Sequence, residues 1–287
     1  SAKWTTEGMT FLGAGQPEPG TSGYQKRPPV WIGSMAFHAK TTTTIIAQAE
    51  SMLTHLDGLL EEAPPSSPSL ATALLLLRLC VHSRSVYSFR SAYTETLTQA
   101  AAHLDSLFQA RLRTWLALPQ ELPEIAIYLL QAPLRHRGFG ITPLSKLAPE
   151  AYMGSWGLVA HAVEAQLKYP LLLSSPQPTT MAQVTTQAAL TQLPVGAVDL
   201  DAICLQPEGK LQKKLTQNRH GSDLAQKRGA QAPLREVVLL GNLATRGSST
   251  FLTAFPADNK CSPTNVQLRT YARFRLQCPV MQAGPCA

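Results

Sequence analysis

The sequence lacks the features from which a function is most directly assigned. Its five cysteines are widely separated and include no Cys-x-x-Cys pair, so neither the usual zinc signature nor a disulfide framework is present. No glycine-rich stretch ends in Gly-Lys-Ser/Thr, which excludes a Walker-type nucleotide loop. No apolar run approaches the roughly 20 residues needed to cross a bilayer. We therefore expect reduced cysteines, an intracellular location (nuclear or cytoplasmic) and no membrane partner.

The N-terminus and the leucine-rich run give two further expectations. The chain begins SAKWTTEGM, without an initiator methionine or a secretory hydrophobic segment. We expect a fragment of a longer protein, or a trimmed chain. Cys80 lies among leucines, and we expect it to be a buried thiol.

Carboxylate pairs of the kind that hold catalytic metal ions are scarce. The chain has six aspartates and no Asp-Asp pair, and its nearest approach is Asp199-Leu200-Asp201. On a strand these two carboxylates would share one face, whereas at a helix start they would cap backbone N–H groups. We favour the capping role. No nucleophile–base set follows from residue order, so we expect no cofactor, no metal ion and no catalysis from this chain alone.

Positive charge is concentrated at the C-terminal end. Residues 201–287 contain 12 Lys/Arg and 5 Asp/Glu, which accounts for the whole net charge of +7. A basic region joined to a neutral one is typical of a protein that binds a polyanion. A solvated basic surface without a partner is the alternative.

Helical periodicity dominates the chain from Thr41 onward. The apolar spacing predicts helices from Thr41, over Ser69–Tyr87, Leu97–Leu118, Glu124–Leu130, Pro149–Lys168 and Met181–Leu190, and around Leu205–Gln217, Leu234–Leu243 and Asn265–Leu276. Residues 1–40 read as irregular, with short strands at Met9–Leu12 and Val30–Ile32. We predict a mainly α fold: an irregular segment over 1–40, a helical bundle over 41–175 and a looser, basic helical region over 176–287. The predicted common core contains Leu53, Leu56, Leu76, Leu104, Phe108 and Trp156.

Three basic groups are candidates for contact with nucleic acid. The first is Arg135, His136 and Arg137, since arginines bind phosphate bidentately and the adjacent glycines let the main chain approach it. In the alternative, these arginines pair with the last helix carbonyls, and Gly138 and Gly140 provide positive φ. The second group contains Lys210, Lys213, Lys214, Arg219, Lys227 and Arg228.

The third group, Arg273 and Arg275, lies beside Tyr271 and Phe274. Cations interleaved with aromatic rings are typical of proteins that bind single strands. In the alternative, an amphipathic helix buries Tyr271, Phe274 and Leu276.

The segment from Gln131 to Trp156, QAPLRHRGFGITPLSKLAPEAYMGSW, carries a family resemblance. It resembles the region after the polymerase palm in reverse transcriptases of retrotransposons without long terminal repeats, where an Arg/Gly loop precedes an Ala-Ala-Tyr-x-x-Ser-Trp helix. Ala132-Pro133 stands in place of the family's Leu-Pro, and Arg137-Gly138 in place of its Gly pair. Further blocks in the same order resemble the family at Leu74–Ser91, Ala101–Leu116, Leu211–Leu215, Gly247–Pro256 and Arg273–Leu276.

The resemblance implies a thumb or connection segment of an RNA-directed DNA polymerase, separated from its palm. Such a segment holds template and primer without chemistry of its own. The implied partners are an RNA or DNA backbone and a palm domain or another protein subunit. The alternative is a stand-alone helical scaffold or interaction protein, such as a ribonucleoprotein subunit.

Overall fold

The computed structural model of the chain is mainly α-helical, which confirms the predicted fold class. It describes residues 35–134, 138–167, 171, 173–175, 177–178, 180–194, 196–229, 238, 240 and 263–278, and none of these lies in a β-strand. The elements are α1 (Met35–Glu61), α2 (Ser69–Leu76), a π-helical segment (Leu77–His82), α3 (Ser83–Ser88), α4 (Glu95–Trp115), α5 (Glu124–Gln131), α6 (Leu144–Leu167), α7 (Met181–Leu190), α8 (Leu200–Leu205), α9 (Leu211–Lys227) and α10 (Asn265–Arg275).

Local sequence signals account for the ends of α7 and α10. Thr180 precedes α7, and its hydroxyl accepts a hydrogen bond from the backbone N–H of Gln183, whose side chain bonds back to Thr180. Thr264 and Gln267 form the same reciprocal capping box before α10. Each box satisfies two N–H groups that a helix start otherwise leaves unpaired.

Helix α6 begins at Leu144, five residues before the predicted start at Pro149. The reason is a contact from α4: the Asp105 carboxylate accepts a hydrogen bond from the Leu144 N–H at 2.5 Å. This cap lets the helix start early and places Pro149 inside it as the sixth residue. An interior proline removes one helical hydrogen bond, so the cap from α4 supports a start that the local sequence does not favour.

The helix predicted around Leu205–Gln217 is two helices in the structure. α8 ends at Leu205 and α9 begins at Leu211, with Pro207 and Gly209 in the break. Proline and glycine are the residues that interrupt helices most strongly. Beyond the break α9 continues to Lys227, ten residues past the predicted end.

The leucine-rich run forms continuous helix from Ser69 to Ser88, with a π-helical turn in its middle. Leu77 is completely buried, but Leu79 is 63% exposed and Cys80 is exposed. The prediction that Cys80 is a buried thiol is therefore wrong. The adjacent residues Leu79 and Val81 are both apolar, so the rotation of the helix decides which of them face the core.

The π-helical segment ends at His82, a buried histidine with partners from two other segments. Its Nε2 lies 2.6 Å from the Thr142 carbonyl oxygen, which requires Nε2 to carry the proton and donate. Its ring also packs against Phe108, with centroids 6.0 Å apart. Burial lowers the pKa of His82, and the Thr142 carbonyl and the charge of Asp105 oppose that shift.

The chain folds into two compact units, each assembled from three stretches of sequence. One contains Ser1–Gln48, Ser85–Ala102 and Ser145–Leu215, and we name it unit 1. The other, unit 2, contains Ala49–Arg84, His103–Leu144 and Thr216–Ala287. Helices α1, α3, α4, α6 and α9 contribute residues to both. The predicted boundary at Pro176 lies outside the described residues, as do the two predicted strands and most of Leu234–Leu243, and the predicted domain limits stay predictions.

Unit 2 contains most of the predicted core. Leu53, Leu56, Leu104 and Phe108 are between 0% and 7% exposed, whereas Leu76 is only half-buried. Trp156, also predicted for this core, belongs to unit 1 and is half-buried.

The core of unit 1 is partly aromatic. Tyr152 packs against Tyr93 and edge-on against Trp156, with ring centroids 6.0 and 6.3 Å apart. The Tyr152 hydroxyl is 2.6 Å from the Thr185 hydroxyl, so its polar end also has a partner inside the unit.

Among the described residues, the Ser69–Ser88 helix is long and apolar enough to cross a membrane by length and composition alone. A little under half of it is buried within the protein, and central helices of soluble bundles share this composition.

Leu77 and Leu79 provide a direct test of the register of this helix. Replacing Leu77 by Ala should lower the free energy of unfolding by roughly 2–5 kcal/mol, because a cavity forms where the side chain was fully buried. Replacing Leu79 by Ala should change it by about 0.5 kcal/mol or less. Urea denaturation of both variants measures the difference, and equal losses would contradict the described register.

The stability should also depend on pH through His82. Because burial keeps its folded-state pKa below the unfolded value, the unfolded chain binds the extra proton, and stability is lost as pH falls below about 6.5. The variant His82→Gln keeps an N–H donor for Thr142 and removes the titration. Urea denaturation at about pH 7.5 and about pH 5.5 should show a smaller loss in this variant than in the native protein. Equal losses would show that other groups control the dependence.

Candidate nucleic-acid interface

The residues before and after the predicted Arg135–Arg137 contact are hydrogen-bonded to one another. The N–H groups of Phe139, Gly140 and Ile141 donate to the carbonyls of Leu129, Ala132 and Leu130 at 2.8, 2.9 and 3.3 Å. These bonds satisfy carbonyls at the end of α5, which the alternative interpretation had assigned to the arginines. Arg135, His136 and Arg137 themselves lie outside the described residues.

The two glycines of this loop are required for different reasons. A Cβ atom on Gly138 would lie 2.0 Å from the Ala132 carbonyl oxygen, so no other side chain fits. Gly140 has φ of +79°, the left-handed region that glycine adopts without strain. The expected glycine role in setting positive φ is confirmed at Gly140. The backbone of residues 138–141 therefore runs back close against the end of α5.

The lysines predicted at the start of α9 form an exposed basic surface in unit 1. Lys210, Lys213 and Lys214 are all exposed, and the first turn of α9 contains no acidic residue. Glu208 pairs with Lys214, with their charged atoms 2.6 Å apart. The start of a helix carries a partial positive charge from its backbone dipoles, so these lysines add charge where the helix is already positive.

Arg90, from the neutral part of the sequence, joins these lysines. Its Nη2 donates to the Gln212 side-chain oxygen at 2.8 Å, and Gln212 lies between the lysines on α9. The guanidinium also lies over the Tyr87 ring, 5.7 Å from its centroid. We name the surface formed by Arg90, Lys210, Lys213 and Lys214 the α9 basic cluster. Arg90 and Gln212 are 122 positions apart, so their contact could not be predicted from the sequence.

Two glycines on α6 allow the start of α9 to pack where it does. A Cβ atom on Gly154 would lie 2.5 Å from the Gln212 Cβ, and one on Gly157 would lie 2.9 Å from Leu211 Cδ2. The Glu208 N–H donates to the Gly157 carbonyl at 2.6 Å, which ties the turn before α9 to α6. The Tyr-x-x-Ser-Trp helix thus serves as the support for the α9 basic cluster.

The predicted cations farther along α9 have partners within unit 2. Arg219 pairs with Asp223 at 3.8 Å, and Lys227 pairs with Glu124 of α5 at 2.6 Å. Arg228 donates to the Leu240 carbonyl at 3.4 Å. These contacts connect α9 to its surroundings in unit 2, so phosphate would have to compete with them.

The two predicted arginines of α10 differ in accessibility. Arg273 is half-buried, whereas Arg275 is 2% exposed and donates to the Tyr271 hydroxyl at 3.3 Å. Arg275 follows Leu268 and Ala272 by seven and three residues, so helical spacing puts it on the buried face. In this structure Arg275 is not accessible to a phosphate.

The two aspartates that were weighed as metal ligands have structural roles. Asp199 caps α8 by accepting from the Ala202 N–H at 3.0 Å, and Asp201 accepts from the Ser174 hydroxyl at 3.2 Å.

Burial, followed by the negative charge of Glu164, raises the pKa of Cys204 to about 11, so its thiol stays protonated and unreactive at neutral pH. No group of three His, Cys, Asp or Glu side chains that could hold a metal ion occurs among the described residues.

Comparisons with protein-family models, with curated proteins and with solved structures found no match to this chain.

The α6–α9 contact predicts opposite effects of two glycine-to-alanine changes. Gly154→Ala should destabilise the protein by roughly 1–3 kcal/mol, because the new methyl group overlaps Gln212 in a packed contact. Gly221→Ala is the matched control: Gly221 lies within α9 with open space around it. There alanine should stabilise by about 0.4–1 kcal/mol. Thermal or urea unfolding measures both, and a neutral Gly154→Ala would contradict the described contact.

Proposed function

We propose that this chain holds the backbone of a nucleic acid without catalysing its synthesis or cleavage, and that the α9 basic cluster is a principal contact. The observation that carries the proposal is the arrangement of Arg90, Lys210, Lys213 and Lys214 around the positive end of α9, with Glu208 as a partial counter-charge. Lysine and arginine side chains in such a cluster bind phosphate irrespective of base sequence.

The helix dipole favours an anion at this place over simple solvation of the lysines. Cations near a helix start are unfavourable by roughly 0.3–1 kcal/mol each at low ionic strength. An anion bound there would be stabilised by both the dipole and the lysines. Arg90 adds a planar donor group, which suits phosphate geometry better than a fourth lysine would.

The resemblance to retrotransposon reverse transcriptases gives this binding role a context. In that context the chain is a thumb or connection segment, and the palm that carries the metal-binding carboxylates is a separate part. The substrate held is then a template–primer of RNA or DNA. The support for this context is the order of the sequence blocks, above all the Arg/Gly loop followed by the helix that bears Tyr152 and Trp156.

A helical scaffold remains the second candidate, and one observation favours it. Leu158 and Leu205 in unit 1 are 52% and 78% exposed, and a contiguous apolar surface that included them would be a site for a protein contact. These two residues carry no charge, so their replacement separates the two functions. A scaffold would lose partner binding when they change and would be indifferent to the lysines.

Charge removal with a salt titration tests the proposal. The double variant Lys210→Gln/Lys213→Gln should bind oligonucleotides more weakly, and its plot of log affinity against log salt should flatten by about 0.7–0.9 per lysine that contacts phosphate. Fluorescence anisotropy on labelled single-stranded and duplex oligonucleotides between about 50 and 200 mM salt measures both quantities. Arg90→Gln should flatten the plot by a similar amount.

The matched control removes the same charge elsewhere in unit 1. Lys40 and Lys146 are exposed, and Lys40→Gln/Lys146→Gln lowers the net charge by the same two units. This control should keep the native slope. No binding at low salt, or equal slopes in the two double variants, would rule out the α9 basic cluster as the contact. A separate Arg135→Gln/Arg137→Gln variant tests the loop.

A further inference from the structure

Helix α10 is held firmly in unit 2 by contacts at its start and along one side. Asn265 accepts a hydrogen bond from the Leu70 N–H at 2.8 Å and donates to the Ser69 hydroxyl at 2.8 Å. Arg269 donates through Nε to the Trp115 carbonyl at 2.8 Å. Leu268, Ala272 and Leu276 are at most 1% exposed. The orientation of the helix is therefore set by polar and apolar contacts together.

The opposite face of this fixed helix carries exposed aromatic rings. Phe274 is 73% exposed and Tyr271 is 39% exposed, which contradicts the alternative interpretation that the helix buries them. Residues three apart are neighbours on a helix surface, so both side chains belong to the same face of α10. An exposed phenylalanine forgoes the favourable burial of its apolar surface unless a ligand covers it.

Positive charge lies beside this aromatic face. Between Asn265 and Arg275 the helix has three arginines and no acidic residue. Helical spacing puts Arg269 and Arg273 along one border of the exposed arc. On the other border, the buried Arg275 donates a hydrogen bond to the Tyr271 hydroxyl. This bond holds the end of the Tyr271 side chain, and part of the side chain stays exposed. A ligand of this face is therefore expected to combine flat apolar groups with negative charge.

We propose that Phe274 and Tyr271 form a stacking platform for unpaired bases of a single-stranded nucleic acid, with its backbone on the Arg269–Arg273 side. This inference rests on the proposed nucleic-acid-holding function and narrows its substrate to one with an unpaired region. Bases in a duplex are already stacked on one another, whereas unpaired bases are free to stack on an aromatic side chain. A neutral apolar partner would form no ion pair with Arg269 or Arg273, whereas a phosphate backbone would.

Replacement of Phe274 tests the platform in the full chain. Loss of one base–aromatic stack costs roughly 1–3 kcal/mol, so Phe274→Ala should weaken binding of labelled oligo(dT) and oligo(U) by about 5- to 150-fold. Affinity for a blunt duplex and the salt dependence should not change, because no charge is removed. Phe274→Trp should restore single-strand binding, and Phe274→Leu, which is apolar but has no ring, should not.

Val266 provides the matched control, since it is 55% exposed on the same helix and has no ring. Val266→Ala should bind both ligands as the native protein does, and circular dichroism should show all variants folded, because neither side chain is buried. No binding of either ligand at low salt would overturn the proposed function itself. Intact binding with Phe274→Ala equal to the native protein would overturn only the platform. A change in sedimentation of Phe274→Ala without a change in affinity would also overturn it and would assign the face to a protein contact.

Discussion

The close approach of α6 and the start of α9 is the constraint on which the arrangement of unit 1 depends. At Gly154 and Gly157 the two segments are too near for any side chain between them, and the Glu208 N–H reaches the Gly157 carbonyl at 2.6 Å. This contact fixes where α9 begins and thereby brings Gln212 to Arg90. The three lysines next to Gln212 take their positions from the same contact. The basic surface is thus a consequence of how two helix backbones pack.

Sequence periodicity predicted the bounds of a helix closely where neighbouring residues in the sequence set them. It was less accurate where residues distant in the sequence set them. α7 and α10 each begin after a threonine with a glutamine three residues into the helix, and both were predicted closely. The start of α6 depends on Asp105, which is 39 residues away from Leu144, and so it was placed too late. The exposure of Cys80 depends on which side of a predominantly apolar helix meets the core, and the run of leucines before it does not show which side that is.

The sequence was also a limited guide to which basic residues are available to a ligand. A count of lysines and arginines placed the positive charge at the C-terminal end, but it did not separate cations paired within the protein from those at the surface. Lys227 and Arg228 have partners in unit 2, Arg275 is buried, and Lys210 and Lys213 are exposed. Arg90 contributes from the neutral part of the sequence. The charge of a region therefore indicates a class of ligand, while the tertiary contacts select which side chains reach it.

The π-helical turn between Leu77 and His82 has a consequence for how the chain tolerates changes in length. A π turn holds more residues than an α turn, and each helical residue rotates the chain by about 100°. Deleting one residue there would return an ordinary α-helix with little rotation of the flanking residues, because the wider turn already accommodates the extra residue, whereas deleting one residue from α2 would turn the residues before it by about 100° relative to those after it. Leu70 could then not share the core with Leu77 and the His82–Thr142 contact. The sequence of α2 is accordingly constrained in its spacing as well as in its residue types.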